Sequence, residues 1–449
     1  MASVETTSHA ARRVVVEALV RVEQDNAYSH VVFDHLLRTT PLSDPDRRLA
    51  TRIFYGTLAM QRHLDAWLSR PVGDLEQRTE PWVRATLRAA VYQLLFLDRT
   101  PTHAVVHSAV ELVKAQRGRG AAGFTNAVLR AIVKQREAGL PVPTDPVVRF
   151  GVQHSLPDAM AETVLARFGE EEASRWAEAV NAPPNLTARV NLSRVSMEEA
   201  LREWQAEPGA LAPAAITLPT LNPALRQATD AGSCAIQDEG SQVVVHCLEP
   251  LPLGGSVWDA CAGQGGKTMH LLDLLAPDPT TRVWATDLHH RKLERLRKRL
   301  NKVFPRATLN TKALDLGQQG LNWPSEPFDA VLLDAPCSGL GVIRRHPETR
   351  WRRDLPTIEA LAALQHVALR NVAAAVKVGG LLVYAVCTNT AQESVAQVES
   401  FLQDCPDFRL ESSPLPWLMA LESAPGLVEL LPHRHGCDGF FIARMRRQS

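Results

Sequence analysis

The chain has 449 residues, more than one hydrophobic core usually serves, so about three domains are expected. Its 45% hydrophobic and 22% charged content excludes wholesale disorder. Basic and acidic residues balance at 49 each, which leaves a nucleic-acid partner open, because what matters there is local clustering of charge.

No stretch approaches the roughly 20 apolar residues that span a bilayer, and "MASVETTSHAARR" lacks the apolar centre of a signal peptide, so a cytoplasmic protein is expected. Seven cysteines stand at 234, 247, 261, 337, 387, 405 and 437. None forms a C-x-x-C pair, so no metal is expected, and in a reducing compartment the thiols are free.

From about Ala10 to Gln135 apolar residues recur at three-to-four spacing in "ARRVVVEALVRVEQ", "SHVVFDHLLR", "DRRLATRIFYGTLAMQRHLDAWLS", "WVRATLRAAVYQLLFLD", "HAVVHSAVELVKAQR" and "AAGFTNAVLRAIVKQ". Short turns such as "TTPLSDPD" and "RGRG" separate them, which predicts an all-α bundle over 8–138. "AGLPVPTDP" reads as a linker. A small α+β middle domain is expected over 145–231, with two helical stretches around 157–180, the strand-like "LTARVNL", a helix at "SMEEALREWQA" and a Pro-rich return. From 232 to 447 strands and helices alternate: "GSVWDACAG", "TRVWATD", "PFDAVLLDAP", "GGLLVYAVCT" and "DGFFIARMRR" are the strands. This predicts a Rossmann-like α/β domain, a mostly parallel sheet wound on both faces, with its ligands beyond the carboxyl ends of the strands.

"DACAGQGGKT" follows the first of these strands and opens a helix, so Gly263, Gly265 and Gly266 form a tight turn that lets backbone N–H groups approach a ligand. A P-loop needs Gly five residues before Gly266, where Cys261 stands; a dinucleotide fingerprint starting at Gly263 needs a third Gly where Thr268 stands. Asp287 ends the next strand, where a carboxylate can accept both hydroxyls of a ribose, and Asp315 ends the third. Either Asp alone could be a helix cap. Together with the turn they describe a site for an adenosine-bearing cofactor without phosphates, which suggests S-adenosylmethionine.

Cys337 follows the fourth strand and Cys387 the fifth, so a parallel sheet brings both to one crevice although fifty residues separate them. Most lone cysteines are inert core residues, but strand ends are not core positions. Carbon 5 of a pyrimidine is too weak a nucleophile to attack a methylsulfonium until a thiolate adds at carbon 6. The carbon 5 proton must then leave with the help of a base, and Asp334 can engage ring N3. The base must be unpaired or flipped. Chemistry alone leaves the two thiol roles interchangeable.

Here the chain resembles the NOL1/NOP2/Sun family of cytosine-C5 RNA methyltransferases, and within it the bacterial small-subunit rRNA enzymes of the Sun/Fmu type, over nearly its whole length. "DACAGQGGKT" resembles the cofactor turn, "LLDAPCSGLGVIRRHPETRW" the fourth motif, "VYAVCTNTAQE" the sixth and "DGFFIARM" the closing strand; "QDEGSQ" and "ARVN" are similar to further family elements. "AAVYQLLFLDRTPTHAVVHSAVELVK" and "GFTNAVLRAIVKQ" resemble a NusB-like RNA-binding domain.

The resemblance implies Cys387 as nucleophile, Cys337 as the residue of product release and Asp334 as activator of the base. It implies an S-adenosylmethionine site of Cys261, Ala262, Gly263, Gln264, Gly265, Gly266, Lys267, Asp287, Arg291, Asp315, Asp334 and Pro336. The chain departs from the pattern at Gly263-Gln264, where the family carries Ala-Pro, and at Val386 and Thr388, which flank Cys387 in place of Thr and Ser.

Arg344, Arg345, His346 and Arg350 closely follow the fourth motif and are expected on RNA phosphates, with Trp351, Arg352 and Arg353 beside them. "RKLERLRKRLNK" reads first as a solvated helix face. The expected partner is 16S rRNA or a small-subunit assembly intermediate, met by a monomer, with the middle domain recruiting RNA. The rival is a non-catalytic NusB-like RNA-binding or antitermination factor, which has no need of the paired cysteines.

Overall fold

The computed structural model describes residues 7–449 except 141, 277, 279, 305–308, 319, 320, 322 and 325. The start of "MASVETTSHAARR" and Pro141 of the expected linker lie outside the described residues. The chain divides into two compact units: one runs to Ala182 and takes back Ile343–Arg352, the other holds Pro183–Val342 and Arg353–Ser449.

The first unit is helical: α1 (Thr7–Gln24), α2 (Ser29–Thr39), α3 (Asp44–Ala59), α4 (Gln61–Val72), α5 (Leu75–Arg78), α6 (Pro81–Phe96), α7 (Thr102–Gln135), α8 (Pro146–His154) and α9 (Asp158–Asn181). Local chemistry sets their ends. Ser43 caps α3 by accepting the Asp46 N–H, Asp145 caps α8 through the Val148 N–H, and Met60, at φ −95° and ψ 16°, divides the expected long third stretch into α3 and α4. "RGRG" kinks α7 at Gly118, φ 82°, where a side chain would be strained. Helix α6 is buried on every face from Val83 to Leu94, including Arg84 and Arg88, whose guanidiniums bind Glu23 and Asp65.

The helices expected at 157–180 in the middle domain belong instead to this helical unit. Arg62 donates to the Leu156 carbonyl and pairs with Asp158 at 2.6 Å, its own N–H is accepted by Ser155 Oγ, and His63 meets the Val152 carbonyl. Spacing within a helix says which face is apolar, and these contacts say which neighbour covers it.

The second unit carries two sheets. The smaller is antiparallel, in the order β2 (Glu207–Pro208), β3 (Ala215–Leu218), β1 (Leu186–Val190), β4 (Cys234–Ile236), with α10 (Met197–Trp204) and α11 (Pro223–Ala231) closing a core of Val190, Trp204, Ile216 and Leu225. β4 extends this sheet past 231, so the larger fold begins later than expected.

The larger sheet contains β5 (Ser256–Asp259), β6 (Arg282–Asp287), β7 (Leu309–Ala313), β8 (Phe328–Asp334), β9 (Val376–Val386), β10 (Phe408–Leu410), β11 (Glu422–Ala424), β12 (Leu427–Leu430) and β13 (Phe440–Arg447). Its order is β11-β12-β13-β9-β8-β5-β6-β7, with β10 on β13. β7, β6, β5, β8 and β9 run parallel and the remainder antiparallel, so the sheet is mixed; of the antiparallel part, only the closing strand is expected from the sequence.

Both faces are covered. Ala330 and Leu332 of β8 pack with the layer of α12 (Glu239–His246), α13 (Gly266–Leu274) and α14 (His290–Val303), while Val331 and Leu333 pack with α15 (Leu355–Ala374) and α16 (Val395–Asp404). α14 buries Leu293, Leu296 and Leu300 and leaves Arg291, Arg295 and Lys298 exposed, the solvated face expected of it.

Candidate active site

Between β5 and α13 the chain turns sharply, with the Ala262 N–H held by the Thr286 carbonyl and the Gly265 N–H by the Ala262 carbonyl. Gly265 has φ +83°, and a Cβ there would stand 2.2 Å from Leu296 of α14, so the turn closes on the layer beneath it only with glycine. Gly263 and Gly266 have no atom within 4 Å of where a Cβ would lie. Open space therefore lies over the turn.

Asp287, at the end of β6, accepts the Gly263 N–H at 3.0 Å and the His289 N–H at 2.8 Å, with Lys292 at 3.4 Å. Asp315 lies two residues beyond β7 and accepts the Gly317 N–H at 2.9 Å. Gln264, Pro336 and Arg291 are exposed, Cys261 is half-buried with its thiol pushed up by burial, and Ala262 is buried. A glycine turn under open space, flanked by fixed carboxylates, fits an adenosine-bearing group.

Asp259, the last residue of β5, is not among the residues that the sequence singles out. It is 0% exposed; Oδ2 accepts the Thr268 hydroxyl at 2.6 Å and Oδ1 has no partner among the described residues. Burial pushes its carboxyl up to about 7, against the Thr268 hydrogen bond and reinforced by Asp334. The available signal was an acid ending an otherwise apolar strand.

β8 and β9 run side by side with Asp334 opposite Ala385, so the loops that follow them leave the sheet together. Cys337 Sγ and Cys387 Sγ lie 3.3 Å apart, both half-buried. Lys267, on the first turn of α13, reaches Asp334 Oδ2 at 2.6 Å and sits 5.4 Å over the Phe440 ring. Burial opposes the lysine charge, but Asp334, then Cys387 and Asp259, outweigh it and raise its pKa.

The loops are pinned to each other. Gly341 N–H donates to the Cys387 carbonyl at 2.9 Å, and Ser338 Oγ donates to Thr388 Oγ1 at 3.0 Å. A Cβ on Gly341 would meet the Gly439 carbonyl oxygen at 2.2 Å, so only glycine lets the closing strand's loop approach this far.

The expected RNA-contacting residues 344–350 all belong to the helical unit. Arg350 is 1% exposed and donates to the Ala59 and Ser155 carbonyls and to Asn181 Oδ1 at 2.7 Å, so phosphate contact by Arg350 is replaced by an internal role. Arg352 likewise donates to the Val22, Asn26 and Ala27 carbonyls. His346 packs edge-on against His30 at 4.9 Å. Arg344 and Arg345 remain half-exposed.

A family profile described as 16S rRNA methyltransferase RsmB/F matches residues 245–446, and the NusB family matches residues 9–134. The "Probable ribosomal RNA small subunit methyltransferase B" of Bacillus subtilis (strain 168) is 34% identical over 445 residues, covering 97% of this chain and 98% of that one. The chain belongs to the RsmB/F methyltransferase family. "Ribosomal RNA small subunit methyltransferase B" of Pasteurella multocida (strain Pm70) is 32% identical, over 99% of this chain and 97% of its own. Among solved structures, "Crystal Structure of PH0851" superposes with a TM-score of 0.82 at 25% identity, over 98% of this chain and 99% of that one.

Proposed function

We propose that the protein forms 5-methylcytosine in 16S rRNA, with S-adenosylmethionine as methyl donor. The observation that carries this reading is the pair of thiols 3.3 Å apart beside the Lys267–Asp334 ion pair, at the carboxyl ends of parallel strands and next to a glycine turn without phosphate-loop spacing. A purely RNA-binding factor has no use for that constellation.

Cys387 gives its proton to solvent and its sulfur bonds to carbon 6 of the cytosine, pushing the ring electrons toward N3, where Asp334 and its partner Lys267 hold the base. The ring becomes an enamine with a nucleophilic carbon 5. The 261–267 turn with Asp287 and Asp315 would hold S-adenosylmethionine, which would supply an electrophilic methyl group for carbon 5 and leave as the thioether. Cys337, its own proton given up to solvent, then takes the carbon 5 proton as the bond from Cys387 sulfur to carbon 6 breaks, restoring the aromatic ring.

Arg344 and Arg345 contact flanking phosphates, and the small antiparallel sheet recruits RNA. One chain supplies both thiols, the lysine and the cofactor turn, which supports a monomer. Among the described residues no helix is long and apolar enough to cross a membrane. Dependence on two free thiols suits a reducing cytoplasm.

Bisulfite sequencing of 16S rRNA from a strain lacking the protein should lose one protected cytosine, regained when the purified chain and S-adenosylmethionine are added. Unchanged protection, or calorimetric binding of ATP without binding of S-adenosylmethionine, would overturn the reading.

A further inference from the structure

Cytosine chemistry does not tell two thiols apart, yet one must attack while the other is held back to remove the carbon 5 proton later. Their surroundings differ. On the Cys337 side stands Glu393, which is 0% exposed and follows Cys387 by six residues. It accepts the Ser338 N–H at 2.7 Å, the Gln365 side-chain amide at 3.0 Å and the Thr390 hydroxyl at 2.8 Å. All three donors are neutral. Ser338 belongs to the Cys337 loop and Thr390 to the Cys387 loop, while Gln365 also donates to the Pro336 carbonyl at 2.9 Å and accepts from the Tyr384 hydroxyl at 3.0 Å. One buried carboxylate thus ties both loops to the helix beneath.

We propose that Glu393 is a positioning residue that decides which cysteine attacks: it binds the two loops together and sets a buried carboxyl group beside the Cys337 loop, leaving Cys387 as the thiol that attacks. The inference rests on the reading of Cys387 as nucleophile. The electrostatics run the same way, since the Cys337 thiol is raised well above its ordinary range, first by its contact with Cys387 and by burial, then by the charges of Cys387 and Glu393. A thiol that ionises reluctantly attacks slowly at neutral pH but, once ionised, is a strong base, which suits removal of the carbon 5 proton.

The test is the pH dependence of iodoacetamide alkylation, read by peptide mapping, for Cys337 in Cys387→Ser protein and for Cys387 in Cys337→Ser protein. The Cys337 midpoint should be the higher. Adding Glu393→Gln should lower the Cys337 midpoint by about one pH unit and move that of Cys387 less.

A Cys337 midpoint at or below that of Cys387, or one that Glu393→Gln leaves in place, overturns the proposal. Should Glu393→Gln fail to fold, Glu393→Asp, which draws the carboxyl back from the Ser338 N–H, should lower the Cys337 midpoint by a smaller amount, and a midpoint it leaves in place overturns the proposal equally. Mapping the RNA adduct of the native chain separates the two claims: an adduct on Cys337 would reverse the cysteine roles, whereas the alkylation shift tests Glu393 independently.

Discussion

Cys337 and Cys387 hold their sulfur atoms 3.3 Å apart because Asp334 and Ala385, just upstream, are register partners in adjacent parallel strands. Cys387→Ala should abolish methyl transfer, while Cys337→Ala should slow turnover by about 10²–10⁴ and accumulate a covalent protein–RNA adduct. Denaturing gels with target RNA read both results. An adduct that builds up in Cys387→Ala instead would exchange the roles.

The same proximity makes the pair oxidisable. Dilute peroxide should join the two sulfurs, losing both thiol hydrogens to water, and methyl transfer should stop until dithiothreitol restores it. Non-reducing peptide mapping should show the 337–387 link, with Cys247 and Cys437, both buried, still reduced. Reversible inactivation with no such link would rule it out.

Asp259 should leave a mark on stability. Its folded carboxyl is pushed up to about 7, whereas an unfolded Asp ionises near pH 4, so between those values the folded state holds a proton that the unfolded state has released. Its contribution is complete below about pH 4 and is lost as pH rises through about 7. Asp259→Asn removes that loss and should gain roughly 2–4 kcal/mol on the wild type between about pH 4.5 and pH 8. Urea midpoints of the two proteins at both pH values check this; a constant difference would refute it.

Arg350 predicts a stability effect without a cofactor effect. Burial pulls its guanidinium down to about 9, and it holds three acceptors of the helical unit. Arg350→Ala should cost about 3 kcal/mol, because those acceptors and the vacated volume stay buried. Circular dichroism should show helical melting several degrees lower, with S-adenosylmethionine affinity by calorimetry unchanged. Weaker rRNA binding at unaltered melting temperature would instead return Arg350 to the phosphate.

The parallel strands β5, β6, β8 and β9 were legible as largely apolar runs, whereas β7, Leu-Asn-Thr-Lys-Ala, was marked only by the Asp315 beyond it, and parallel pairing then brings 334, 337 and 387 together whatever the intervening length. The glycine turn was legible from spacing. Arg350 was not: its burial depends on carbonyls at 59 and 155 and an amide at 181, and nothing local to "HPETRW" announces them. Asp259 and Glu393 were missed for a related reason. A carboxylate acquires a role from the donors it meets, and those of Glu393 come from positions 338, 365 and 390.

The helical unit is discontinuous in sequence, since it reclaims Ile343–Arg352. A fragment ending at Ala182 would leave the Ser29 N–H without Glu348 and the Ala59 and Ser155 carbonyls without Arg350. No single cut therefore excises it whole. Expressed alone, such a fragment would need this short peptide supplied in trans, and the peptide's sequence is fixed as much by the helices that receive it as by the catalytic loop it follows.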